Sequence, residues 1–222
     1  MKNRIPIAIS IAIVALMLGA SVWVWFHIPT GTPVPIHWNI YGQADHYAKG
    51  PIGLFMAPAM AALIALLFIA IPVMEPRRLN LARSAAFYRA SWIATLLLLA
   101  TVHMAALYAA THGDIAVGNI VLASVSLLMI VIGNFLGKTR SMFLGGVRTP
   151  WTLSSEYSWQ RTHSLAGKLF MLAGAAGCIG AITVPLKLDA EIFICAILAA
   201  VAISIVMSYV YWRNDPERDA AQ

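Results

Sequence analysis

The sequence is poor in charge. Of 222 residues, 15 are Lys or Arg and nine are Asp or Glu, while 60% are hydrophobic. So few polar groups cannot coat a globule of this size, which excludes a water-soluble domain and implies an integral membrane protein. Cysteine is scarce as well. Cys178 and Cys195 both lie in apolar runs, so a disulfide-stapled fold is not expected and small-residue packing accounts for them. The chain has no G-x-S-x-G, H-E-x-x-H or Walker sequence, so no nucleophile, metal-bound water or phosphate cradle is assembled and no enzyme or cofactor is assigned. No Asp, Glu, Lys or Arg falls in the middle of an apolar run, which argues against an ion-coupled transporter.

What is present is long apolar sequence. A helix needs about 20 apolar residues to cross roughly 30 Å of hydrocarbon, and six segments qualify: 5–26, 54–73, 88–110, 116–136, 165–184 and 190–212. The first is longer than a signal-peptide core and no small-residue cleavage site follows it, so it reads as a retained helix. The expected fold is all-α, a polytopic membrane protein of six transmembrane helices. Lys and Arg resist translocation. Placing both termini and the second and fourth connections in the cytoplasm gathers Lys2, Arg4, Arg77, Arg78, Arg83, Arg89, Lys138, Arg140, Arg148, Arg161, Lys168, Arg213 and Arg218 inside, leaving only Lys49 and Lys187 outside. The formal net charge of +6 then reflects topology and anionic inner-leaflet lipid rather than nucleic acid.

Between the first two spans lies FHIPTGTPVPIHWNIYGQADHYAKGP, whose Pro29, Pro33, Pro35, Gly42, Gly50 and Pro51 forbid a long helix. An ordered or half-ordered extracytoplasmic loop is expected over 27–53, with Trp38, Tyr41 and Tyr47 suited either to the headgroup interface or to an incoming ligand. His27, His37, Asp45 and His46 also occur here, but their spacing matches no compact zinc motif, so no metal is assigned. Farther on, His103 is the only histidine deep in a span, a candidate functional group that a bond to a neighbouring helix would equally explain. Pro58 should kink the second span. Ala173, Gly177 and Ala181 form a small-xxx-small stripe for close helix packing. The polar tail after Trp212 reads as frayed.

The longest polar interval is GNFLGKTRSMFLGGVRTPWTLSSEYSWQRTHSLAGKLF, residues 133–170, with five of the fifteen basic residues. Gly145, Gly146 and Pro150 imply a defined turn. Ser154 or Ser155 can cap a short helix carrying Glu156 in its first turn. On that helix Trp159 and His163, and likewise Tyr157 and Arg161, are four apart and so can stack. With Trp151, this segment should lie along the inner membrane interface before entering the fifth span at about Leu165.

These residues resemble the SdpI family of bacterial membrane immunity proteins. The resemblance rests on Gly133 and Asn134, Lys138 and Arg140, Gly146, Arg148 through Leu153 (Arg-Thr-Pro-Trp-Thr-Leu), Trp159, Thr162 and His163, and Gly167 and Lys168. Ser141 and Met142 stand where the family pattern has Pro-Asn. The earlier loop is similar to a small domain of unknown function that often precedes this signature, through Pro35, Ile36, His37, Trp38, Asn39, Gly42, Asp45, Tyr47 and Lys49. The resemblance implies an N-terminal two-helix unit, 1–75, and an SdpI-like four-helix domain, 76–222, with a cytoplasmic signature loop at 137–164.

The resemblance further implies a non-enzymatic protein of the bacterial cytoplasmic (inner) membrane that protects its cell against a secreted antimicrobial peptide toxin. It also implies capture of a cytoplasmic winged-helix repressor at the membrane. The candidate partner-binding residues are Asn134, Lys138, Arg140, Gly146, Arg148, Thr149, Pro150, Trp151, Thr152, Trp159, His163 and Lys168. The candidate extracytoplasmic ligand residues are Pro35, His37, Trp38, Asn39, Asp45 and Tyr47. Two alternatives compete: a small-solute permease or channel, motivated by His103, Pro58 and the small-residue stripe, and a metal-dependent enzyme using His37, Asp45 and His46.

Overall fold

The computed structural model describes residues 3–113 and 115–217; Lys2 and Arg218 of the charge count lie outside them. The chain is mostly helical, and among the described residues six helices are long and apolar enough to cross a membrane. These are α1 (Arg4–His27), α2 (Gly50–Met74), α4 (Ala85–His112), α5 (Val117–Leu136), α7 (Glu156–Thr183) and α8 (Leu186–Arg213). Two short helices, α3 (Arg78–Arg83) and α6 (Pro150–Ser154), sit in the connections. The outward faces of the long helices carry Leu16, Leu66, Leu172, Ile182 and Leu198 in the open, a surface that suits lipid and not water.

The helices run up and down, so the bundle has two ends. One end holds the segment between α1 and α2, which the sequence presents as a loop and which folds as a hairpin of β1 (Pro33–Trp38) and β2 (Ala44–Lys49). The antiparallel register pairs Pro33 with Lys49, Pro35 with Tyr47 and His37 with His46, with irregularities on both sides of His37. Asn39 builds the turn: its side-chain oxygen accepts from the backbone N–H of Tyr41 and of Gln43. At the tip Gly42 has φ of +77°. A Cβ there would meet Leu186 Cδ2 at 2.6 Å, and one on Gly118 would meet the Gly42 Cα at 2.7 Å, so two glycines let the hairpin touch the start of α5. Val34, 1% exposed, packs with Val24, Leu54 and Leu107 beneath.

Two packing zones make the bundle. In the first, α1, α2 and α4 enclose Ile13, Met17, Ala61, Ala65, Trp92 and Leu96, and Phe68 stacks on Trp92 with ring centroids 5.6 Å apart. In the second, α5 and α7 approach backbone to backbone. A Cβ on Gly133 would lie 2.5 Å from the Gly167 carbonyl oxygen, one on Gly167 equally close to that of Gly133, and one on Gly174 2.5 Å from that of Ser126. The stripe of Ala173, Gly177 and Ala181 is buried in this seam, extended by Gly167 and Gly174. Both cysteines are free thiols.

The structure corrects the sequence expectation at residues 156–164. They form no separate interfacial helix: α7 begins at Glu156, and Trp159, Thr162 and His163 are fully buried in the bundle. Ser155 is the cap, its side chain accepting from the Ser158 N–H at 2.9 Å. The polar first turns tolerate burial because partners reach them: Ser158 Oγ donates to the Ser208 carbonyl at 2.7 Å, and Ser155 Oγ donates to Asp215 Oδ2 at 2.5 Å. The same bond ties down a tail expected to fray, as far as Asp215.

Candidate functional site

At the end of the bundle opposite the hairpin, the segment after α5 is held by a polar framework. Glu75, with no exposed surface, follows α2 and points its carboxylate into the segment. Its oxygens accept from the backbone N–H of Phe143 at 3.1 Å and of Leu144 at 2.8 Å, and from its own neighbour Arg77 N–H at 2.9 Å. Hydrogen bonds to a charged acceptor are about twice as strong as neutral ones, so this carboxylate is the main clamp. Arg77 adds a second hold: its guanidinium donates to Ser141 Oγ and to the Leu153 carbonyl at 3.1 Å, and lies 4.7 Å over the Phe143 ring. Asn80 donates to the Ser141 carbonyl at 2.7 Å, and the Arg140 N–H donates to Ser84 Oγ at 2.8 Å.

From below, α7 supplies Trp159 and His163, stacked with centroids 3.9 Å apart. The indole N–H donates to the Thr139 carbonyl and hydroxyl at 3.2 and 3.1 Å. His163 Nε2 accepts from the Val147 N–H at 2.9 Å, while its Nδ1–H donates to the Trp159 carbonyl at 2.8 Å. One nitrogen accepts and the other donates, which defines a neutral ring with its hydrogen on Nδ1. Gly146 lies directly over this ring with φ of +89°, and a Cβ there would collide with His163 Nε2. Glycine is required twice at this position, for the backbone angle and for the space.

Helix α6 locks the segment to α8. Thr149 and Thr152 form a reciprocal capping box, Thr149 Oγ1 shares a hydrogen bond of 3.0 Å with Ser208 Oγ, and Trp151 packs on Tyr209 with centroids 5.2 Å apart. This framework leaves five cations in the open. Lys138, Arg140, Arg148, Arg161 and Lys168 are exposed, with Arg140 3.4 Å from Glu156, Arg161 over the Tyr157 ring at 5.4 Å and Arg148 donating to the Phe143 carbonyl at 2.5 Å.

At the hairpin end a cleft of about 1060 Å³ opens between the strands and the ends of α4, α5 and α8, lined by Trp38, Tyr41, Tyr47, Gly113, Asn119 and Leu186 among others. On the strands His37 Nδ1 donates to Asp45 Oδ1 at 2.6 Å, a bond that holds the exposed Asp45 carboxyl below the ordinary carboxylate range. Deeper in, His103 is 3% exposed. Ser21 Oγ–H donates to the Leu54 carbonyl at 2.7 Å, so His103 Nε2–H donates to Ser21 Oγ at 3.0 Å. The expected bond to a neighbouring helix is present and joins α1, α2 and α4.

The arrangement at the basic end coincides with a known family. Residues 138–211 match the model of the SdpI/YfhL protein family, and residues 12–62 match a domain of unknown function, DUF1648. Over that region the chain is similar to the SdpI/YfhL family. It is 27% identical over 218 residues to the Immunity protein SdpI of Bacillus subtilis (strain 168), covering 96% of this chain and 98% of that protein. No solved structure matches.

The SdpI signature is thus divided by the structure. Thr149, Thr152, Trp159 and His163 are interior, Gly146 is a turn, and Trp151 is half-buried against Tyr209. Asn134, Lys138, Arg140, Arg148, Pro150 and Lys168 face outward. At the hairpin Pro35 is buried, Asn39 is engaged in the turn, Trp38 is half-buried, and His37, Asp45 and Tyr47 are exposed. Sequence reasoning passed over Glu75, Arg77, Asn80 and Ser84. An acid amid a basic connection, MEPRRLN, was the available signal for Glu75. Ser141 and Met142, which depart from the family pattern, have structural work: the serine meets Arg77 and Asn80, and Met142 is 2% exposed in the core with Trp159.

Proposed function

We propose that this chain is a non-enzymatic, multi-pass immunity protein of the bacterial cytoplasmic membrane, protecting its cell against a secreted antimicrobial peptide toxin. The observation that carries the reading is the full-length similarity to an immunity protein, joined to two ordered, aromatic-bearing ends on opposite sides of the bundle. Both termini and the signature end face the cytoplasm in this reading, with the positively charged residues inside and the hairpin outside. The outer cleft, bounded by Trp38, Tyr41 and Tyr47, offers flat aromatic faces and open backbone to a peptide. Two modules, 1–75 and 76–222, divide the work, in keeping with the two separate family regions.

The exposed cations of the signature end form the inner contact surface, for lipid headgroups and for a cytoplasmic winged-helix repressor. That surface keeps its shape because Phe143 and Leu144 are bonded to Glu75, Trp159 to Thr139 and Thr149 to Ser208. The deciding experiment compares a strain lacking the gene with its complemented parent during exposure to peptides secreted by its own and competing cultures. Loss of resistance on deletion, restored by the wild-type gene, is expected. Equal survival of both strains against every peptide fraction overturns the reading. Crosslinking from a photoreactive residue at Arg148 tests the repressor contact separately, capture of a DNA-binding protein being the expected product.

A further inference from the structure

The hairpin joins three groups that are separate in sequence. Strand pairing sets His37 opposite His46, and Asp45 projects between them. The Nδ1 atoms of both imidazoles face one oxygen, Asp45 Oδ1, at 2.6 and 3.3 Å. The rings stand edge to face with centroids 5.5 Å apart, and one donor atom from each residue lies within 4.8 Å of the other two. His27, the fourth candidate of the same segment, is turned away, stacked on Trp23 at 4.3 Å.

We propose that His37, Asp45 and His46 bind a divalent first-row transition-metal ion such as Zn²⁺ at the hairpin end of the molecule. Two imidazoles and one carboxylate are a donor set for Zn²⁺, Cu²⁺ or Ni²⁺ and a poor one for Mg²⁺ or Ca²⁺, which take oxygen ligands. Tetrahedral ligands at about 2.0–2.1 Å from a zinc ion stand roughly 3.3 Å from one another. The His46–Asp45 pair already has that separation. The His37–Asp45 pair, drawn in by its hydrogen bond, must open by about 0.7 Å, within reach of side-chain torsions at an exposed site. On binding, the hydrogen between His37 Nδ1 and Asp45 moves to Nε2 or leaves to solvent, and the metal takes the vacated lone pair.

The backbone supports the site. His37 and His46 lie on paired strands, and the turn between them is fixed by Asn39. Simple surface pairing does not require this convergence, since exposed ion pairs contribute little to stability. Three protein ligands leave a coordination position open, available to water or to a carboxylate, imidazole or amine of a molecule arriving at this face. The site stands independently of the immunity reading, and either can fail without the other.

The test uses the full-length protein, purified in detergent with a tag free of histidine and stripped with chelator, titrated calorimetrically with ZnCl₂. One saturable equivalent is expected, with at least about tenfold weaker affinity in His37→Ala and in His46→Ala and none in the double variant. His27→Ala and His112→Ala should retain wild-type binding. These four side chains are exposed, so folding is preserved, as equal thermal melting would verify. Titration with Cu²⁺ read by electron paramagnetic resonance should show two nitrogen ligands in wild type and fewer in each single variant of the pair. Absence of saturable zinc uptake, or uptake unaltered in the double variant, overturns the proposal.

Discussion

Replacing Glu75 tests whether the signature segment owes its shape to the connection after α2. Glu75→Ala removes the acceptor for three backbone N–H groups at once: those of Phe143, Leu144 and Arg77, bonded at 3.1, 2.8 and 2.9 Å. A hydrogen bond to a charged group is worth about 1.5–3 kcal/mol net, and a donor left without a partner costs about 1–3 kcal/mol. Phe143 is exposed at 38%, so water recovers part of the loss, and a local penalty of about 2–4 kcal/mol remains. Amide exchange through local opening should then accelerate roughly 30- to 1,000-fold across residues 141–148. Hydrogen–deuterium exchange mass spectrometry of the protein in micelles reads this directly, with the Gly174–Ser126 contact of the α5–α7 seam as internal reference because it lies about three helical turns along α7 from His163. Glu75→Gln keeps the volume and one oxygen but turns an NH₂ group toward the N–H donors, so an intermediate acceleration is expected. Wild-type exchange over 141–148 in both variants, with the bundle still protected, would refute the clamp.

Gly146→Ala forces a left-handed backbone angle on alanine, costing about 1–3 kcal/mol, and pushes His163 off the Val147 N–H; a combined loss of about 2–4 kcal/mol should lower the melting temperature by roughly 4–16 °C. An unchanged melting curve would mean that the turn and the ring are not in contact. For orientation, Cys178 and Cys195 are first changed to Ala. Tyr47→Cys should then react with a membrane-impermeant maleimide in intact cells, and Ser154→Cys only after permeabilisation; the reverse pattern inverts the proposed topology.

The sequence reveals the spans because hydrocarbon imposes one requirement, a long apolar run, and all six appear within a few residues of their expected positions except the start of α7. That exception has a cause. Residues 156–164 are polar, and polarity next to a span suggests the membrane surface, whereas here three of the buried polar groups have partners inside the protein: Ser158 on Ser208, Trp159 on Thr139, His163 on Val147. Those partners lie 16 to 50 residues away, beyond any periodicity. The hairpin was hidden for a related reason. Proline and glycine exclude a helix there, but strand pairing depends on register, and the meeting of His37 with His46 is created by that register alone.

The same long-range bonds change how the signature should be understood. A motif of exposed contacts would leave its residues free to vary in side-chain geometry, yet Thr149, Thr152, Trp159 and His163 have all their polar reach occupied within the chain. Their neighbours Lys138, Arg140, Arg148 and Arg161 project outward from the surface they fix. Removing an interior member should therefore loosen the whole segment, while removing Lys138 or Arg161 should leave exchange at 141–148 unaltered and affect only what docks there; Arg148, which also holds the Phe143 carbonyl, belongs partly to both classes. Glu75 falls in the first class although it lies 58 residues before Gly133 in the sequence. The signature is the visible half of a structure whose other half is the polar turn after α2, and a partner meeting the basic face meets both.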